Sequence, residues 1–172
     1  MRFEADFNNS WYFLKMDVDA TKDDALKVPE EKWNKVTLPH DWLIFNTKNL
    51  YEDSTGWYRK WFGVYLNKNK SYYVNFDGIY MDSTIYVNGK KAGENHYGYS
   101  SFELDITDYL EDGENEILVR VCHFIGVRTF NLGISYYKPG ISCLFCRNIH
   151  SVICYVSLFQ FLIGNISEYS GS

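Results

Sequence analysis

Residues 38–42 (LPHDW) place three side chains that could do chemistry next to one another: His40, Asp41 and Trp42. Pro39 favours an extended approach and predicts a loop, where binding and catalytic groups concentrate. The carboxylate offers two acceptor oxygens and the indole an apolar ring face. The structural alternative is that Asp41 caps a turn, Trp42 packs at the edge of the fold, and His40 is a packed or hydrogen-bonded residue and not an acid–base catalyst.

Adjacent carboxylates are a second feature with catalytic potential. The pairs are Glu30/Glu31, Glu52/Asp53 and Glu111/Asp112. They lie in charge-rich stretches without strand periodicity, so we interpret them as solvated surface.

The cysteines suggest a metal site but do not complete one. All four lie in the last third of the chain: Cys122, Cys143, Cys146 and Cys154. The gap between 143 and 146 is that of half a zinc site, but no second pair with matching spacing accompanies it. We therefore expect no metal and no cofactor. A disulfide-built secreted fold would spread its cysteines through the domain, so reduced thiols are expected.

The composition predicts one domain with a β-rich fold. A chain of 172 residues can bury one core, and its 46% hydrophobic and 23% charged residues are ordinary for a globular protein. Aromatic residues make up 19%, which is typical of a β fold or a carbohydrate-facing surface. The net charge of −5 provides no basic stripe for phosphate backbones, so no nucleic-acid partner is expected.

The two ends of the chain differ in charge and polarity. Acids within the first six residues argue against a signal peptide, so a cytoplasmic location is expected. Residues 149–163 are strongly apolar, but His150 and Gln160 interrupt them before the roughly 18 to 20 clean residues that span a bilayer. We therefore expect this run to form a buried strand pair or a poorly folded apolar tail, in preference to a membrane anchor.

Short apolar-aromatic runs separated by turn residues predict an all-β fold. The expected strands are 11–14, 57–66, 71–76, 82–87, 90–94, 101–104 and 116–121. Asn88-Gly89 tolerates the positive φ angles of a tight hairpin turn, and Gly78 allows a strand to bend. Residues 17–35 predict a loop with at most one helical turn, and residues 105–110 a second such turn. About seven strands with one or two helical turns indicate a β-sandwich or jelly roll.

Six blocks in this order carry a family resemblance: 7–13 (FNNSWYF), 33–42 (WNKVTLPHDW), 56–60 (GWYRK), 76–89 (FDGIYMDSTIYVNG), 102–107 (FELDIT) and 113–117 (GENEI). Together they resemble the N-terminal sugar-binding domain of family 2 glycoside hydrolases of the β-galactosidase type, over residues 3 to about 122. The resemblance implies an all-β, galactose-binding-like jelly roll at 1–122. It leaves 123–172 as a divergent apolar tail, either a distorted last strand or a frame-disrupted end.

The resemblance also implies a role. In the family, loops of this domain reach toward the active site of a neighbouring barrel, so Asp41 would accept hydrogen bonds from sugar hydroxyls and Trp42 would face the ring, with His40 beside them. The two catalytic glutamates, about 5 Å apart in such retaining enzymes, belong to the barrel. We therefore expect no catalytic residue here, and as partners a β-galactoside-like carbohydrate and a glycosidase barrel. The alternatives are a free-standing carbohydrate-binding module and a purely structural protein.

Overall fold

The computed structural model describes residues 2–43, 52–80, 82–124 and 161–170. In this part of the chain, ten strands form two antiparallel sheets. The strands are β1 (Arg2–Ala5), β2 (Trp11–Met16), β3 (Asn34–Val36), β4 (Ser54–Val64), β5 (Lys70–Ile79), β6 (Ser83–Val87), β7 (Lys90–Asn95), β8 (Phe102–Asp105), β9 (Gly113–His123) and β10 (Phe161–Ser170). One sheet has the order β3-β2-β4-β9-β6-β7 and the other β1-β10-β5-β8. The prediction of an all-β jelly-roll sandwich is confirmed.

Alternation along the strands builds the core between the two sheets. In β9, Ile117, Val119 and Val121 point into the sandwich, where they meet Val74 and Phe76 of β5. Successive side chains of a strand point to opposite faces, so the pattern of β9 fixes which residues enter the core.

The outer face of the six-stranded sheet carries a second, smaller core. Trp57 of β4 and Leu118 of β9 pack there with Ala25 and Trp33. Ala25 lies in α1 (Lys22–Lys27), which covers this face. Strand β4 is therefore buried on both faces, with Tyr58 directed into the sandwich.

Residues 17–35 are more regular than the sequence predicted. They hold α1, a 3-10 turn at Glu30–Lys32 and the start of β3. Thr21 begins α1 with a capping box: its hydroxyl accepts from the Asp24 amide at 3.3 Å, and the Asp24 carboxylate accepts from the Thr21 amide at 3.1 Å. The Thr21 hydroxyl also donates to the Asp24 carboxylate at 2.6 Å, and this hydrogen bond, with the one from the Thr21 amide, lowers the pKa of Asp24. The expected second turn forms as a 3-10 turn at Thr107–Tyr109.

The strand count differs from the expected seven because β1, β3 and β10 carry weak local signals. Strand β3 has three residues, and β1 pairs with β10. The β6–β7 hairpin forms as predicted, with positive φ angles of 48° at Asn88 and 76° at Gly89. The register between β5 and β10 shifts beside Gly78, where the strand was expected to bend.

The predicted tail contributes one element to the described fold. Strand β10 lies between β1 and β5 in the four-stranded sheet. The division at residue 122 stays a prediction, since residues 125–160 lie outside the described part, as does most of the apolar run 149–163. In the described ranges, no helix is long and apolar enough to cross a membrane.

Candidate functional site

The loop at residues 38–43 runs along the six-stranded sheet, from beside the start of β2 to the start of β4. Leu38 enters the core and its amide donates to the Asn8 carbonyl at 2.9 Å. The Leu38–Pro39 peptide bond is cis. At the other end of the loop, the Trp42 indole donates to the Ser54 hydroxyl at 3.0 Å, and Ser54 is the first residue of β4. The loop is therefore positioned by contacts with two distant segments.

Asp41 faces inward and closes a local turn. Its side chain is buried, and Oδ1 accepts a hydrogen bond from the Leu43 amide at 2.8 Å. An aspartate that accepts from the amide two residues later forms an Asx turn, which is the structural role that we weighed against sugar contact.

Trp42 is packed in the core. Its ring lies 5.7 Å from Phe13 and 6.4 Å from Tyr58, centroid to centroid. A Cβ at Gly56 would lie 3.0 Å from the Trp42 ring, so glycine in β4 makes room for the indole. With 9% of its surface exposed, Trp42 contributes packing at the loop, and its ring face is turned to aromatic neighbours.

His40 is the most accessible of the three predicted side chains, and it is half-buried. Its Nδ1 lies 2.8 Å from the Tyr58 hydroxyl, and its ring packs 4.7 Å from Phe13. Burial lowers the pKa of His40. Burial, with a smaller contribution from the Asp41 charge, raises the pKa of Tyr58 well above its usual value. The pair is uncharged near neutral pH, which suits a hydrogen-bonded support and not a charged acid–base dyad.

This burial of His40 predicts a pH-dependent contribution to stability. Because the pKa is lowered in the folded state, the unfolded state binds the proton more readily, and stability rises with pH across that interval. The contribution is complete above the ordinary pKa of 6.5 and is lost as pH falls through the lower pKa of the folded state. We expect H40Q to lose this slope, seen in urea-unfolding free energies as pH falls below 6.5.

The matched control is Y58F. Because burial lowers the pKa of His40, Y58F should keep the slope while losing about 1 kcal/mol with the missing hydrogen bond. A slope that disappears in Y58F but persists in H40Q would contradict the assignment.

Three strand ends meet beside this loop. Ser54 of β4 pairs with His123 at the end of β9, and the Cys122 amide donates to the Asp82 carbonyl, just before β6, at 3.0 Å. With strands about 4.8 Å apart, Ser54 and Asp82 lie roughly 10 Å from each other across β9. We call this end of the six-stranded sheet, together with loop 38–43, Tyr80 and Asp82, the rim.

His123, the last residue of β9, also belongs to the rim. It is 8% exposed, and its Nδ1 lies 2.8 Å from the Glu52 carbonyl. A carbonyl can only accept, so Nδ1 carries the proton and donates. This hydrogen bond joins the chain before β4 to the end of β9, and only the strand pairing could have revealed it.

Comparison with known proteins identifies the family. Residues 5–129 match the family model "Glycosyl hydrolases family 2, sugar binding domain". The chain belongs to glycoside hydrolase family 2. A β-galactosidase of Bacteroides ovatus is 36% identical over 132 residues, which cover 70% of this chain and 15% of the relative. The first curated relatives are matched over only 12 to 16% of their length.

Solved structures of the family have the same fold. A family 2 member from Bacteroides cellulosilyticus superposes with a TM-score of 0.58 at 36% identity, covering 69% of this chain and 17% of that protein. A β-glucuronidase from Bacteroides uniformis superposes with a TM-score of 0.57 at 30% identity, covering 70% and 14%. The domain of this family is thus one part of much larger enzymes.

The carboxylate pairs of this family 2 domain lie at its surface. Glu30 and Glu31 are exposed, Glu52 forms an ion pair with Lys15, and the Asp112 carboxylate accepts from the Leu66 amide at 2.8 Å. The solvent exposure predicted for these pairs is found for all of their members except Glu52, which is half-buried.

Of the four cysteines considered as metal ligands, the structure describes only Cys122. Among the described residues, no group of three or more potential ligands could hold a metal ion. Cys122 is a buried free thiol, while Cys143, Cys146 and Cys154 lie outside the described residues.

Proposed function

We propose that this chain serves as the sugar-binding accessory domain of a family 2 glycosidase. It supports the edge of an active site whose catalytic glutamates belong to a barrel, and it does not hydrolyse glycosides alone. The match of residues 5–129 to the family's sugar-binding domain carries the proposal. Relatives named as β-galactosidases and β-glucuronidases point to a β-linked glycoside as the substrate class.

In this proposal, the rim is the part of the domain that borders the active site. Asp41 and Trp42 hold the loop by an Asx turn and by aromatic packing. His40 is half-buried and is the most accessible of the three side chains in this loop. A preformed loop of this kind contacts a ligand at low entropic cost, because its conformation is already fixed.

The first test measures hydrolysis by the pure 172-residue chain. Aryl β-galactoside, β-glucuronide and β-mannoside are incubated with it, and nitrophenol release is followed. We expect no release above buffer, since the proposal assigns both catalytic carboxylates to another domain. Clear turnover would refute the proposal.

A second test asks whether the domain can support a barrel. The full 172-residue chain, which retains β10, replaces the matching segment of the Bacteroides ovatus β-galactosidase, and kcat/KM is compared with that of the same enzyme lacking the segment. We expect the chimera to be the more active, by at least about tenfold. A folded, soluble chimera no better than the deletion would count against the accessory role.

A further inference from the structure

Three tyrosines form an aromatic cluster outside the loop described above. Tyr97 and Tyr99 are 61% and 62% exposed, and their ring centroids lie 5.7 Å apart. Tyr80 lies 5.6 Å from Tyr99, edge to face. Aromatic side chains of this size are seldom left so exposed side by side without a binding role.

The cluster is held in place by its neighbours. A Cβ at Gly98 would lie 2.6 Å from Cδ2 of Tyr80, so glycine lets the segment between the two exposed tyrosines lie directly on Tyr80. The Asn95 side chain donates to the Tyr97 carbonyl at 2.8 Å. The rings are therefore presented from a braced segment.

Polar side chains border the rings. His96 Nδ1 lies 2.9 Å from Asp82 Oδ1, and its Nε2 lies 3.7 Å from Glu94 Oε1. An ionised carboxylate can only accept a hydrogen bond, so in this contact His96 Nδ1 donates to Asp82. Glu94 Oε2 also accepts from the Lys91 ammonium at 2.6 Å. Both carboxylates thus contact His96, which directly precedes Tyr97, so the segment offers carboxylate acceptors and tyrosine hydroxyl donors.

The cluster lies at the same end of the sandwich as the Trp42–Ser54 contact. Tyr80 follows β5, Asp82 precedes β6, and Tyr97 and Tyr99 follow β7. The Asp82 carbonyl accepts from Cys122 at the end of β9. The cluster therefore continues the rim, with Asp82 about two strand spacings and the end of β7 about three from the Trp42–Ser54 contact.

We propose that Tyr80, Tyr97 and Tyr99 bind a pyranose unit of a glycan, with ring faces against its C–H surface and Asp82 and Glu94 accepting from its hydroxyls. The composition of the patch favours a sugar over a protein. The other exposed large hydrophobic residues in the described ranges, Leu26, Tyr65 and Leu66, lie elsewhere. A protein interface needs a broad apolar centre, whereas one sugar ring needs a small aromatic surface with polar groups beside it. The proposal rests on the carbohydrate role above and adds a second contact site to it.

The test is a titration of the full chain, followed by amide chemical shifts in NMR, with methyl β-galactopyranoside, methyl β-glucuronide and a β-1,4-galactan oligosaccharide as probes. We expect Y97A/Y99A to raise the dissociation constant of the best probe about tenfold or more. Y65A is the matched control: Tyr65 is a lone tyrosine, 91% exposed, that follows the opposite end of β4, and its loss should leave binding unchanged.

Several results would overturn the proposal. In the first, the unaltered chain binds none of the probes at tens of millimolar. In the second, Y97A/Y99A binds the best probe as tightly as the unaltered chain does. In the third, Y65A weakens sugar binding as much as Y97A/Y99A does. A change of association state in Y97A/Y99A, seen by sedimentation without loss of sugar binding, would assign the cluster to a contact between copies instead. If any of these results is obtained while the chimera is active, the tyrosine site is refuted and the accessory role is still supported.

Discussion

Replacing Trp11 by alanine is expected to lower the free energy of unfolding by about 3 to 5 kcal/mol. Trp11 is fully buried in the core between the sheets, and its indole donates to the Phe7 carbonyl at 2.7 Å. Its ring meets Phe7 edge to face at 5.6 Å, and the Lys60 ammonium lies 5.9 Å from its centroid. The variant therefore leaves a cavity and a carbonyl without its donor.

Urea unfolding of W11A and W61A measures this difference. Trp61 is a half-buried tryptophan on the outer face, where it contacts Tyr12 and Arg59. Its loss removes surface packing without opening a core cavity, so about 1 kcal/mol is expected. W11F should recover part of the loss by refilling volume without the hydrogen bond. Equal destabilisation by W11A and W61A would show that the core does not depend on Trp11 as described.

The N115A variant is expected to lose about 3 kcal/mol of stability, because Asn115 makes four hydrogen bonds while only 1% exposed. Its amide donates to the carbonyls of Glu111 at 2.8 Å and Gly113 at 3.1 Å. Its oxygen accepts from the Glu111 amide and from the Asn88 side chain, both at 2.7 Å. Alanine would leave these buried groups without partners, which costs more than the bonds contribute.

Asn88 extends the network to the β6–β7 hairpin. Its amide also donates to the Tyr109 carbonyl at 2.9 Å, and its oxygen accepts from the Glu116 amide at 2.9 Å. N88G keeps the positive φ angle and removes only these hydrogen bonds, whereas N88A adds roughly 1 kcal/mol or more of backbone strain.

The measurement is again urea unfolding, with N34A as control. Asn34 is exposed on the edge strand β3, so its change should stay within about 0.5 kcal/mol. We expect N115A to destabilise the protein more than N34A does, and N88A to destabilise it more than N88G does. If N115A unfolds like N34A, the network does not stabilise the hairpin.

Local sequence patterns were enough to predict the fold class. The two-residue period of β6 and β9 and the Asn88-Gly89 turn depend on neighbouring residues alone, so they indicate strands and hairpins directly. They could not predict β1 and β10, because these strands pair with each other across most of the chain's length. Nor could they show that Asn88 is a hydrogen-bonding centre as well as a turn residue.

For the rim, local sequence was enough to predict which segment forms the loop, since Pro39 and the polar residues after it interrupt the strand pattern. The direction in which its side chains point depends on the packing of distant segments. Asp41 and Trp42 face inward because Gly56, Phe13 and Ser54 offer them space and a partner from distant strands. Tyr97 and Tyr99 face outward because no described element covers them. Side-chain identity is local, whereas burial depends on what the rest of the chain packs against it.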